Sequence, residues 1–94
     1  MNQEPKAPPH SIEAEQSVIG AILRENDAFD RLGNLRAEHF YLGDHAAIFA
    51  ELQRQILAGK SVDVISLMVS LDGKVADLGA YLNSITQATP SSAN

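Results

Sequence analysis

The sequence contains no cysteine. Neither a disulfide framework nor a thiolate metal site can be built from it, a composition that suits the cytoplasm. Long apolar runs are missing too: stretches such as Val18 to Leu23 and Val64 to Val69 fall far short of the roughly 20 residues that cross a bilayer, which argues against a membrane protein. Cations are in short supply, with seven Lys and Arg residues against twelve Asp and Glu and a net charge of -5. Lys6, Arg24, Arg31, Arg36, Arg54, Lys60 and Lys74 are scattered rather than gathered on one helix. Binding to a phosphate backbone relies on clustered cations that release counterions, so direct nucleic-acid binding is not expected. A helix-turn-helix transcription factor is disfavoured for the same reason, because no helix carries a basic face. The first ten residues, MNQEPKAPPH, hold one lysine and no apolar run, unlike a secretory signal. No internal repeat, low-complexity tract or sustained heptad is present.

What is present fits one small soluble domain. A chain of 94 residues, 45% apolar and 20% charged, supports a single modest core. Residues 1–10 are proline-rich and polar and read as a mobile arm, residues 11–89 as a helical domain, and residues 90–94 as the start of a linker. Ser11 fits an N-cap, with Glu13 in the first turn where the helix dipole favours it. At 100° per residue, Ile12, Val18, Ile19, Ile22 and Leu23 share one arc, and Glu13, Ser17, Gly20 and Arg24 the other. Asn26 can cap a short second helix through Leu32, which Gly33 and Asn34 break. Residues 36–42 offer one helical turn, interrupted by Gly43. Asp44 then caps a long helix carrying Ile48, Phe49, Leu52 and Ile56, with Gly59 as its C′ residue. Asp63 caps the next, Val62 and Leu67 occupy hydrophobic-staple positions, and Val64, Leu67, Met68 and Leu71 form its inward stripe. Leu78, Tyr81, Leu82 and Ile85 mark a last helix, closed by Pro90. The expected fold is all-α, a compact bundle of five or six short helices.

None of the chemistry-bearing residues forms a recognisable active site. Gly59-Lys60-Ser61 matches the end of a nucleotide-binding loop, but that loop needs a glycine where Arg54 stands, and a helix start rather than a helix end at the phosphates. His10, His39 and His45 have no metal-ligand spacing on one helical face. His45 shares the stripe of Phe49 and Leu52 and reads as a packed histidine. Glu13 and Glu15 diverge by about 200° on a helix and cannot act as an acid–base pair. Glu15 lies inside the apolar arc, either at the core edge or tied to backbone N–H groups and a basic side chain. No catalytic, cofactor-binding or metal residue is therefore expected, and Ser11, Glu15, Asp44, His45, Gly59 and Asp63 are read as structural.

The ordered segments PPHSIEAEQSVIGAIL, EHFYLGDHAAIF, Gly59 followed by VDVISL, LGAYL and TPSSAN resemble the N-terminal domain of the bacterial replicative DNA helicase, the DnaB-type hexameric helicase. The resemblance covers residues 8–94. It implies a helical head that packs into a ring collar above a RecA-like motor, supporting the homo-hexamer and receiving the primase, with a helicase loader as a further partner. ATP and Mg would belong to the motor, which this sequence does not include, so no cofactor is expected here. In the family a helical hairpin, which follows the head, mediates most collar association, so the piece alone should be monomeric. Two features depart from the family pattern: a single Gly79 stands where two glycines usually precede the aromatic, and the loop from Asp72 to Leu78 looks short. Glu13, on the polar face, is the first candidate for touching a partner, and Tyr81, an aromatic with a polar tip, the second. The alternative is a stand-alone or phage-type regulator that occupies the helicase's partners without unwinding.

Overall fold

The computed structural model describes residues 11–88 and is all-helical over them. Four α-helices, α1 (Ile12–Arg24), α2 (Gly43–Leu57), α3 (Val64–Ser70) and α4 (Leu78–Ala88), are joined by two 3-10 helices, Asn26–Arg31 and Ala37–His39. The N-terminal arm, the linker start and Pro90 lie outside the described residues.

Local signals set most of the helix ends. The Ser11 side chain accepts from Ala14 N, one of the donors that a helix start leaves free. At the start of α3, Asp63 accepts from Ser66 N at 2.8 Å while Ser66 Oγ accepts from Asp63 N at 3.1 Å, a reciprocal box built with serine in place of glutamate. The end of α2 is a full Schellman turn. Gly59 has φ of +82°, Gly59 N donates to Ile56 O, and Lys60 N donates to Gln55 O.

Two expected caps are corrected. Asp44 does not cap α2: the helix begins at Gly43, Leu42 holds the cap position without a side-chain hydrogen bond, and Leu42 O already accepts from Ala46 N. Gly43 is thus the first helical residue rather than an interruption, and Asp44 acts only as a first-turn charge favoured by the dipole. Asn26 does not cap the second helix either, because its side chain is used across the fold. Its Nδ2 donates to Ile22 O and Val62 O, and its Oδ1 accepts from Val62 N at 2.8 Å. The segment after it is a 3-10 helix, which ends at Arg31 rather than Leu32.

The core gathers around α2. Ile48, Phe49 and Leu52 are fully buried, with Ile19 and Ile22 of α1, Leu67 of α3 and Leu82 of α4. Phe49 is flanked by Phe40 at 4.8 Å and Phe29 at 6.0 Å between ring centroids, so both 3-10 segments deliver an aromatic to the same place. Each such side chain removed from water contributes about 1.5–3 kcal/mol. α1 packs mainly on α4, and α3 lies against α2 and α4. Gly20, on the polar arc of α1, is nevertheless buried. Met68 departs from the inward stripe and is 44% exposed, its thioether lying over Gly79, where a Cβ would stand only 2.8 Å from its sulfur.

Candidate functional site

Polar side chains stand on the core-facing sides of three helices, among them Glu15 on α1, His45 on α2 and Tyr81 on α4. The fold brings them together. His45 is fully buried. Its Nδ1 lies 2.7 Å from Glu15 Oε1 and its Nε2 lies 2.5 Å from Tyr81 Oη. The His45 and Tyr81 rings also stack, with centroids 5.8 Å apart and planes 17° from parallel. Tyr81 Oη accepts a further hydrogen bond from Gln16 Nε2 at 3.1 Å. An ionised carboxylate can only accept, which assigns the Nδ1 proton to the Glu15 bond. Nε2 of a neutral ring then accepts the Tyr81 hydroxyl proton.

Glu15 has a second set of donors. Tyr41 N donates to its Oε2 at 2.6 Å and Leu42 N to its Oε1 at 3.4 Å, so the carboxylate of α1 anchors the chain just where α2 begins. Burial pushes the Glu15 pKa up, but the Tyr41 N–H, the His45 ring and the Leu42 N–H outweigh it and hold the carboxyl below its usual value. The cluster is therefore a polar clasp on three helices, satisfied at every member.

The clasp has the carboxylate–imidazole–hydroxyl order of a nucleophilic relay, but its hydroxyl is enclosed. Tyr81 Oη lies between His45 and Gln16, whereas a nucleophile must reach an outside atom. Tyr81 also lines an open cleft with Asp44, Val75, Ala76, Asp77 and Ala80. Asp77, just before α4, has φ of +53°, a left-handed conformation that aspartate tolerates better than most residues. Glu13 is exposed and lines a different cleft between α1 and α4, with Gln16, Ser17, Ser84, Ile85 and Ala88. Glu13 and Tyr81 thus sit on separate clefts, the first between α1 and α4 and the second between the start of α2 and the start of α4. Gln16 touches both, lining the Glu13 cleft and donating to Tyr81.

A second polar cluster faces α3. Gln55, nearly fully buried, donates to Glu51 Oε2 and Ser70 Oγ, both at 2.9 Å. Arg54 donates to both oxygens of the Glu51 carboxylate, at 2.9 and 2.5 Å. The Arg54 hydrogen bonds, against the opposing effect of burial, lower the Glu51 pKa to about 2. The sequence pointed to Asn26 only as a cap, and spacing gave no warning of Gln16. Gln55 had one signal, its place three residues after Leu52 on the buried side of α2.

Among the described residues, no group of three or more His, Asp and Glu side chains is placed to hold a metal ion, and His39 is exposed and bonded to Arg36 N. Gly59, Lys60 and Ser61 form the exposed turn after α2. No helix among them is long and apolar enough to cross a membrane.

Comparison with known proteins bears on this arrangement as a whole. Residues 7–94 match the family model described as the DnaB-like helicase N terminal domain. The replicative DNA helicase DnaB of Pasteurella multocida (strain Pm70) is 42% identical over 92 residues, covering 93% of this chain and 20% of that protein. DnaB of Buchnera aphidicola subsp. Acyrthosiphon pisum (strain APS) is 39% identical over 91 residues, covering 92% of the chain and again 20% of the relative. The chain thus spans about a fifth of the length of the curated relatives it matches. Among solved structures, the crystal structure of the N-terminal domain of DnaB helicase from Mycobacterium tuberculosis superposes with a TM-score of 0.81 at 30% identity, covering 93% of this chain and 67% of that one. The order of the five sequence segments, the helical fold and these likenesses agree, and the chain belongs to the DnaB-like helicase N-terminal domain family.

Proposed function

We propose that this domain is an interaction module of a bacterial replicative helicase, supporting assembly of the hexameric ring and docking of the primase, with a loader as a further partner. The motor that binds ATP and Mg and unwinds DNA is a different part of such a protein, and the setting is the bacterial cytoplasm. Family membership carries this reading. The three-helix clasp supports it physically. It ties α1 and α4 to the start of α2, so the two clefts that bear Glu13 and Tyr81 are held in a fixed relation. Rigid presentation lowers the ordering cost of binding. A net charge of -5 favours a protein partner over a phosphate backbone.

The test is a titration of the isotope-labelled domain with the cognate primase, followed by NMR. Shifts concentrated at Glu13, Gln16, Ala80 and Tyr81 are expected. Binding that shifts only residues on α3, or no binding by the domain even within the full-length helicase, would refute the docking face. The same preparation is expected to hydrolyse no ATP, and DNA-stimulated hydrolysis by it would refute the assignment of the motor to another part of the protein.

A further inference from the structure

The hydrogen bonds of the clasp all run one way, and their direction reaches a residue at the surface. The Glu15 carboxylate, which can only accept, takes the Nδ1 proton of His45. Nε2 of the neutral ring is then an acceptor and holds the single proton of the Tyr81 hydroxyl. With that proton committed, Tyr81 Oη can only accept, so the Gln16 amide must present its NH2 group to it. The amide oxygen is left for the cleft between α1 and α4, which Gln16 lines. An unconstrained glutamine offers either end of its amide to its surroundings. This one is set by the charge of the neighbouring Glu15, passed through side chains of α2 and α4.

We infer that Gln16, oriented by the clasp, makes this cleft an acceptor site that selects the guanidinium group of an arginine on a partner protein. This rests on the proposed docking role and names the chemistry that its Glu13 cleft recognises. Glu13, Gln16 and Ser17 stand at i, i+3 and i+4 on α1 and so share one face. Ser84, Ile85 and Ala88 of α4 complete the lining. Glu13 is the one charged residue among these six, and the net charge of -5 adds to the attraction for a cation. A carboxylate, an amide oxygen and two hydroxyls that can turn their lone pairs inward suit a guanidinium, which carries five N–H donors and no acceptor. Ile85 and Ala88 give the aliphatic stem an apolar floor. The cleft volume of about 260 Å³ is below the roughly 300–1,000 Å³ of small-molecule pockets and suits a single long side chain. An anionic group would meet the Glu13 charge and the Gln16 oxygen together. The amide cannot turn to receive it, because a flip would set its oxygen against the lone pairs of Tyr81 Oη and leave that acceptor without its donor.

NMR on the isotope-labelled domain tests both links. The first concerns the orientation of the amide. The Gln16 NH2 protons are expected to show nuclear Overhauser contacts to the Tyr81 ring and slower solvent exchange than those of exposed Gln87, with that protection lost in Tyr81→Phe. Wild-type Gln16 protons that exchange as fast as those of Gln87 overturn the inference, and this comparison decides even if Tyr81→Phe does not fold. The second concerns the chemistry of the ligand. N-acetyl-arginine methylamide, whose only charge is its guanidinium, is titrated against acetate as the anionic probe. Saturable shifts at Glu13, Ser17 and Ser84 with the first and none with the second are expected. Gln16→Met, similar in length but without the acceptor, should weaken guanidinium binding about threefold or more, with circular dichroism checking that the variant is folded. Equal binding by Gln16→Met, or a preference for acetate, overturns the inference. The cognate primase keeps the two readings separate. Primase that shifts the cleft residues with undiminished affinity in Gln16→Met overturns the arginine site and leaves the docking role standing. Guanidinium seated in the cleft of a domain that primase does not bind supports the site chemistry and overturns the docking role.

Discussion

Replacing Glu15 by glutamine keeps the size of the side chain and removes only its charge and one acceptor oxygen, yet the geometry marks it as a severe change. Oε1 faces His45 Nδ1 and Leu42 N, and Oε2 faces Tyr41 N. All three are donors. An amide has one oxygen and one NH2 group, so either orientation sets donor against donor. If the oxygen stays toward His45, the Tyr41 N–H loses its partner; if it turns to Tyr41, the ring must change tautomer and then faces Tyr81 with a second N–H. Hydrogen bonds to a charged group contribute about 1.5–3 kcal/mol, whereas Tyr41 is largely exposed and its freed N–H can turn to water. Glu15→Gln is accordingly expected to destabilise the domain by about 1–3 kcal/mol. For a domain of this size each kcal/mol lowers Tm by about 4–8 °C, so thermal unfolding followed by circular dichroism resolves the effect easily. The pH dependence fixes its origin. Glu15 has a lowered pKa in the folded state, so its stabilisation is fully present above the unfolded carboxyl value and is lost as pH falls through the folded one. The gap between wild type and Glu15→Gln should therefore be widest near neutrality and shrink below about pH 4.5. A loss under about 0.5 kcal/mol at neutral pH, or a gap that grows on acidification, would refute the clasp as an energetic feature.

Three further substitutions probe separate features. Asn26→Ala removes the bonds from one side chain to Ile22 O and to both backbone groups of Val62, and is expected to cost about 1–3 kcal/mol with faster hydrogen exchange at Val62 N–H; unchanged exchange there would refute the clamp. Gly59→Ala forces a side chain into φ of +82° and should lower stability by about 1 kcal/mol in denaturant unfolding, whereas equal or higher stability would show that the Schellman turn can relax. Gly79→Ala meets the Met68 sulfur, the far part of a flexible side chain, so the methionine should swing aside; a net change within about 1 kcal/mol and a more solvent-accessible Met68, read by oxidation rate, are expected, and a larger loss would show that α3 and α4 cannot give.

What the sequence made legible divides along the distance over which each signal acts. The Ser11 and Asp63 caps and the Gly59 turn are local, each needing only residues three or four positions away, and a reader of the chain can see them. Helical periodicity placed α2 through Ile48, Phe49 and Leu52 on the same grounds. Asp44 and Asn26 have equally good capping chemistry, but competing bonds are satisfied elsewhere: Leu42 O starts α2 early, and Asn26 is drawn to a backbone 36 residues away. Periodicity also cannot say how a seven-residue helix is tilted, and so Met68, in register with Leu67 and Leu71, ends on the outside. The clasp was half visible. Glu15 in an apolar arc and His45 on an apolar stripe each announce a buried polar group, but no rule of spacing joins positions 30 and 36 residues apart. Family resemblance supplied the fold as a whole, which local signals alone left as a string of helices.

The turn between α2 and α3 has a consequence for how this domain can vary in length. Gly59 and Lys60 are committed to the end of α2, Val62 is held by Asn26 on both its backbone groups, and Asp63 opens α3. Nearly every residue of that connection has a fixed duty, so there is no slack in which to place an extra one. The Gly33–Asn34 turn is different, since both residues are exposed and the turn is closed by the local backbone bond from Leu35 N to Leu32 O, with no tie to a distant segment. Insertions, fluorescent labels and epitope tags belong there, and a single added residue between Gly59 and Asp63 should unseat the register of two helices at once.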